Sequence, residues 1–298
     1  MRKFLIVAAV AALTAVPVAA QGNFENVEIQ SSEVAGAVHM LVGAGGNIGV
    51  SAGEDGVLIV DDQFAPLVPK IRAALAEISP GDLEFVLNTH FHGDHTGGNE
   101  AFGAEAPIVA HANVRKRLAS EQRRGDQVTP AQPKAALPVV TFDEGLSLHF
   151  NGEEIQVRHF PNSHTDGDAV VHFTGSGVFH LGDLFFAGRF PFVDVASGGN
   201  ALGLLDSITR LLEAIPADAK IIPGHGPLAS HEDLALYREM IESTLTTVRT
   251  ARGRGDDLAA IQAAGFDERW KDWSWGFINA ERWAQILYES LEQEEAGG

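Results

Sequence analysis

The chain has 298 residues, is 45% hydrophobic, contains no cysteine and carries a formal net charge of −19 at pH 7. That is enough apolar sequence for one large α/β core, or at most two domains. An acidic surface repels phosphate backbones and anionic membranes, which argues against nucleic acid as a partner, and without Cys there are no disulfides and no thiolate metal ligands.

Arg2 and Lys3 precede an apolar run from Phe4 to Val16, followed by small residues up to Ala20. This is the layout of a secretory signal peptide over residues 1–20, too short for a comfortable membrane span. The expectation is a periplasmic or secreted mature chain, residues 21–298, forming a single domain without membrane contact. Loss of Arg2 and Lys3 would take the formal charge from −19 to about −21. Further on, Ile48–Val50 and Val57–Val60, joined by Glu54-Asp55-Gly56, read as a hairpin within Gly45 to Asp62. Leu67, Ile71, Leu75 and Ile78 have helical spacing and stop at Pro80-Gly81. Leu83–Leu87 and Pro107–Ala110 read as buried strands. Residues 116–138 are polar and basic, hold Pro130, Pro133 and Pro138, and read as a surface loop or short-helix insert. Strand-like runs return at Ile155–Val157, Ala169–Phe173 and Val178–Leu181. Leu204, Ile208, Leu211 and Ile215 mark an amphipathic helix, and Ile221-Ile222 a strand. Ser230 with Asp233 resembles a capping box for a helix reaching about Thr250. The tail, about 266–296, reads as helical and holds all four Trp.

The chemistry concentrates just after Leu87, where His90, His92, Asp94 and His95 fall within six residues. His164 follows the strand near Ile155, Asp183 follows Val178–Leu181, and His225 follows Ile221-Ile222. Imidazole and carboxylate are ligands zinc prefers, and sites in layered α/β proteins gather at strand ends. The order His90-x-His92-x-Asp94-His95, His164, Asp183, His225 resembles the metallo-β-lactamase superfamily over nearly the whole mature chain. That resemblance implies a four-layer αββα sandwich of two mixed β-sheets flanked by helices. It also implies two Zn2+ ions per chain: His90, His92 and His164 hold one, Asp94, His95 and His225 the other, and Asp183 bridges both. A hydroxide generated on the metals would attack the carbonyl of a small-molecule substrate, with Asp94 as the catalytic residue that orients it and shuttles its proton.

The first reading is therefore an exported dinuclear zinc hydrolase that opens a cyclic amide or ester of the β-lactam or lactone type. One alternative is a thioesterase of the glyoxalase II type; Asp183 resembles the bridging residue of both the glyoxalase II-like and the lactonase branches. The other is a persulfide dioxygenase-like oxidoreductase with a single iron. Asp61 or Asp62, and Asp166 or Asp168, are candidates to orient the ligating imidazoles. Gly97 and Gly98 would let the chain after His95 run close to the metals, and His111 is a further candidate to line the site. The aromatic stretch Leu184–Phe192 suits the wall of a pocket. Arg189 or a basic residue of the insert could meet a substrate carboxylate, and the Trp-rich tail either covers the pocket or only anchors a helix. The oligomeric state is not legible in the sequence.

Overall fold

The computed structural model describes residues 24–124 and 127–297, so residues 1–20, expected to form a signal peptide, lie outside the described residues. The strands and α-helices begin with β1 (Gln30–Ala35), β2 (Val38–Val42), β3 (Ile48–Gly53), β4 (Gly56–Val60), α1 (Val68–Ile78) and β5 (Leu83–Leu87). Next come α2 (Gly93–Thr96), α3 (Asn99–Phe102), β6 (Ile108–His111), α4 (Ala112–Leu118), β7 (Gln122–Arg124) and β8 (Gln127–Thr129). They continue with β9 (Val140–Phe142), β10 (Gly145–Phe150), β11 (Glu153–His159), β12 (Ala169–Phe173) and β13 (Val178–His180). The last are α5 (Ala201–Ala214), β14 (Lys220–Ile222), α6 (His231–Gly253), α7 (Leu258–Ala264) and α8 (Ala280–Gly297).

Two mixed sheets face each other. One has the order β1-β2-β3-β4-β5-β6-β9 and the other β10-β11-β12-β13-β14. The first is antiparallel as far as β4 and parallel from β4 to β9. The second is antiparallel except for the parallel pair β13–β14. Side chains alternate across a strand, so β4 serves two cores at once. Leu58 and Val60 meet Ile155, Val157 and Val171 between the sheets. Val57 and Ile59 instead pack with Leu67, Ile71 and Leu75 on the outer side. The outer face of the second sheet is covered by α5, α6 and α8 through Leu204, Ile208, Tyr237, Ile241 and Trp283. The result is the expected helix–sheet–sheet–helix stack.

The hairpin closes with Gly53 opposite Gly56, whose φ of 111° lies in the region glycine tolerates. Ser230 and Asp233 form the full capping box at the start of α6. Two expectations need correction. The insert after α4 contains the hairpin β7–β8 and a short 3-10 turn at Lys134–Ala136, where a loop or helix was expected. The tail is not one helical run. Over 266–296 it consists of a 3-10 turn at Glu268–Trp273, a non-helical loop over 274–279, and α8, with α7 lying before it. Gly265, at φ 67°, ends α7, and its positive φ explains why the helix cannot continue.

Candidate metal centre

β4, β5 and β6 run parallel, as do β13 and β14, so their C-terminal ends open on common edges. Asp61 follows β4, His90 to His95 follow β5, Asp183 follows β13 and His225 follows β14. The loop after β5 is closed by a reciprocal amide pair. Asn88 Nδ2 donates to Asn99 Oδ1 at 3.1 Å, and Asn99 Nδ2 donates to Asn88 Oδ1 at 2.9 Å. Gly97 and Gly98 let this loop lie against Asp62–Gln63. A Cβ on Gly97 would stand 2.7 Å from the Gln63 carbonyl, and one on Gly98 2.9 Å from that of Asp62.

All seven predicted residues come together in two groups. His90, His92, His164 and Asp183 form one, and Asp94, His95 and His225 the other, with the donor atoms of each group within 4.8 Å of one another. Asp183 faces both. Its Oδ2 lies 3.4 Å from His164 Nε2 and 3.7 Å from His90 Nε2. Its Oδ1 lies 3.1 Å from His95 Nε2 and 3.3 Å from His225 Nε2. Asp94 Oδ2 is 3.3 Å from His225 Nε2. Gly224 makes the close approach possible, since a Cβ there would sit 2.1 Å from Asp183 Oδ1.

The hydrogen-bond network assigns the tautomers. His164 donates from Nδ1 to the Phe192 carbonyl at 2.8 Å, and His95 from Nδ1 to Asp61 Oδ2 at 2.7 Å. His90 Nδ1 lies 3.1 Å from Thr89 Oγ1, which in turn donates to Asp61 Oδ2 at 2.7 Å. His92 donates from Nε2 to Asp194 Oδ2 at 3.0 Å. His90, His92 and His164, whose pKa values burial lowers, thereby turn their other nitrogen inward with a lone pair, whereas the inward Nε2 of His95 faces Asp183 and Asp94, which favour its protonated form. His92 Nδ1 lies 3.1 Å from His90 Nε2 and 2.9 Å from His164 Nε2. Three inward acceptors at that separation repel unless a cation stands among them. Asp183 Oδ1 likewise has no hydrogen-bond donor although it is buried. The nitrogen and oxygen donor set therefore fits a metal ion, and it is the set zinc favours.

Electrostatics follow from the same geometry. Burial alone would raise the Asp183 pKa, but the surrounding His95, His225, His90 and His164 hold it well below the ordinary carboxylate value. Burial also opposes ionisation of Asp94, yet His95 and the hydrogen bond from His225 bring it down to about 2. For His225, burial lowers the pKa, and Asp183 and Asp94 outweigh it to give about 9. His90 moves well below its usual value, chiefly through burial and then through the field of His95.

The orienting groups partly match expectation. Asp61 holds His95 and also accepts from the Thr89 N–H at 2.8 Å. Asp62 instead accepts from the Gly98 N–H. Asp166 pairs with Arg117, and Asp168 accepts from Thr165. Neither touches a ligating ring. His111 stacks on His159 at 3.8 Å and belongs to neither donor group. Sequence reasoning missed Asp194 and the Phe192 carbonyl. Both lie at the end of the aromatic stretch flagged as a wall, but nothing in their spacing links them to His92 or His164.

Residues 41–228 match the metallo-beta-lactamase superfamily. The chain belongs to that superfamily. It is 29% identical over 178 residues to the hydroxyacylglutathione hydrolase of Polaromonas sp., covering 58% of this chain and 60% of that one. It is 30% identical over 195 residues to the hydroxyacylglutathione hydrolase of Gloeobacter violaceus, covering 62% and 70%. The chain thus spans about 60% of the length of the Polaromonas relative. A metallo-beta-lactamase from Pontibacter korlensis superposes with a TM-score of 0.60 at 16% identity, over 72% of this chain and 99% of that one. A stereoselective inverting sec-alkylsulfatase from Pseudomonas sp. gives 0.65 at 15% identity, over 88% and 50%. These two likenesses show the fold. The clustered donors fit the metal centre of this superfamily, and the Polaromonas and Gloeobacter relatives are named as hydrolases.

Proposed function

We propose that this superfamily member is a dinuclear zinc thioesterase of the glyoxalase II type. Asp183, which presents one oxygen to each donor group, carries the dinuclear centre, and the hydroxyacylglutathione hydrolase relatives carry the choice of thioester. Ring opening of a β-lactam or lactone, the first reading of the sequence, takes second place. The curated relatives are named as hydrolases of a glutathione thioester, while the lactamase likeness is one of fold. A single-iron oxidoreductase has less support, because Asp94, His95 and His225 assemble a second donor group. The signal-like segment at residues 1–20 supports an exported protein, which points to a thioester met outside the cytosol.

His90, His92 and His164 would hold one ion, Asp94, His95 and His225 the other, and Asp183 would bridge them. When bound, such ions polarise a carbonyl and bring the pKa of water to near ~7. The chain's own residues do the rest. Asp94 is ionised and its side chain is 30% exposed against 5% for Asp183, so it is the donor carboxylate open to the cleft. Its Oδ atoms accept a proton of the attacking water and orient the nucleophile, then pass that proton towards the departing thiol. Phe186 stacks on His225 with ring centroids 5.0 Å apart, and Phe192 stands 5.8 Å from His92. These rings exclude competing water and strengthen the field of the carboxylates.

The test is a hydrolysis panel of thioester, lactone, ester and β-lactam substrates on zinc-loaded protein. The proposal expects thioesters to give the highest kcat/KM and Asp94→Asn to lower kcat by roughly 100-fold or more. Faster β-lactam or lactone opening would return the sequence's first reading to first place.

A further inference from the structure

Trp270, Trp273 and Trp283 are buried and anchor the tail to α6 and the Phe190 region. The stretch 274–279 behaves differently. Phe277 is 57% exposed and is the one exposed aromatic among the described residues' large apolar side chains. Its loop is nevertheless pinned. The Trp275 N–H donates to the Ile278 carbonyl at 3.0 Å, and Trp275 Nε1 donates to the Phe190 carbonyl at 2.9 Å. The Arg189 guanidinium stacks over the Trp275 ring at 5.3 Å. A phenyl ring left more than half exposed beside this aromatic wall offers apolar surface that a bound ligand would bury.

The two rings face the metal donors. Phe277 meets Phe192 at 5.3 Å, and Phe192 stands beside His92 and His164. Trp275 lies 6.0 Å from His225 and 6.1 Å from Phe186. With Phe64 and Met40 they line a cleft of about 900 Å³. That cleft is continuous with the mouth over Asp94, Asp183 and His225 through the shared Phe64, Trp275 and Phe277. A second arm of about 240 Å³, reached past His92 and Gly93, mixes Ser120, Gln122 and Gln132 with Phe91, Leu118 and Pro130. The donor groups thus lie between an aromatic arm and a mixed arm that offers amide and hydroxyl groups.

We propose that Trp275 and Phe277 are specificity-determining residues that hold a planar apolar acyl group, such as an arylacetyl, while the thiol portion lies in the arm beside Gln122 and Gln132. The inference rests on the thioesterase reading and narrows it to bulky apolar acyl groups. Aromatic pairing and burial of one ring face together correspond to about a tenfold change in affinity.

The experiment compares zinc-loaded wild type and Phe277→Ala on three substrates: the phenylacetyl and acetyl thioesters of N-acetylcysteamine, and the acetyl thioester of benzyl mercaptan. Calorimetry with the phenethyl thioether of N-acetylcysteamine, which cannot be hydrolysed, reads binding alone. Wild type is expected to favour phenylacetyl over acetyl by about tenfold in kcat/KM. In Phe277→Ala that ratio should collapse, mainly through KM, and the thioether should bind about tenfold more weakly. The same ratio and the same thioether affinity in both proteins would overturn the inference. So would a preference that follows the benzyl group on the thiol. If no thioester is turned over but thioether binding still depends on Phe277, the thioesterase reading fails and the aryl-binding wall stands.

Discussion

A ligating imidazole has two nitrogens, and at His92 the outward one decides what the inward one can do. Asp194 takes the Nε2 proton at 3.0 Å, which leaves Nδ1 as a lone pair facing His90 and His164. Asp194→Ala removes that acceptor. The expected result is a roughly 10–100-fold weaker zinc affinity, measured by competition with a chromophoric chelator, with little change in the far-UV spectrum. An unaltered affinity would mean that His92 is oriented by packing alone. Protonation gives a second test. In the metal-free protein Asp183 and Asp94 outweigh burial and raise the His225 pKa to about 9, and His95 is raised in the same way. A ligand imidazole must be neutral, so below pH 9 the ion has to displace these protons. Zinc affinity should therefore climb as pH rises from 6 towards 9, with proton release seen by calorimetry in buffers of different ionisation enthalpy. A pH-independent affinity would contradict the assignment of His95 and His225. The candidate ligands were legible in the sequence because each is a His or Asp in a loop that follows a strand. Their orienting groups were not. Phe192 contributes only a backbone carbonyl, and Asp194 is 102 positions from the ring it holds.

Among the elements, α6 carries its stability signal at its first residue. Ser230 Oγ accepts from the Asp233 N–H, and the Asp233 side chain accepts from the Ser230 N–H at 2.8 Å. Ser230→Ala should cost about 1 kcal/mol, lowering Tm by roughly 2–4 °C, while kcat/KM stays as in the wild type because Ser230 is remote from the donors. A drop in activity equal to a ligand substitution would show that α6 supports the metal loop directly. Elements with such local signals were readable: the Glu54-Asp55-Gly56 turn, the period of α5, and the apolar runs of β5 and β12. Those stabilised by position were not. β1 (Gln30–Ala35) is polar and mostly exposed, and only its pairing with β2 makes it a strand. The tail hid its break at 274–279 because buried Trp270, Trp273 and Trp283 imitate a helical stripe across two separate elements.

At the scale of the whole molecule, the candidate centre lies where the two sheets converge. His90, His92, Asp94 and His95 come from a loop of the first sheet, whereas His164, Asp183 and His225 follow strands of the second. Asn47, beside β3, staples the same edge. Its N–H donates to the Gly224 carbonyl at 2.8 Å, its Nδ2 donates to the Pro223 carbonyl at 2.9 Å, and its own carbonyl accepts from His180 Nε2 at 3.0 Å. The fold therefore brings the donors together, and Asp183 stands at the junction. The four-layer arrangement followed from the motif order, whereas the spatial order of the strands had no local signature. The most direct test of the two-group assignment is metal stoichiometry by elemental analysis of zinc-saturated, gel-filtered protein. Wild type is expected to hold two zinc ions per chain and His225→Ala one. One ion in the wild type, or two retained in the variant, would contradict the assignment.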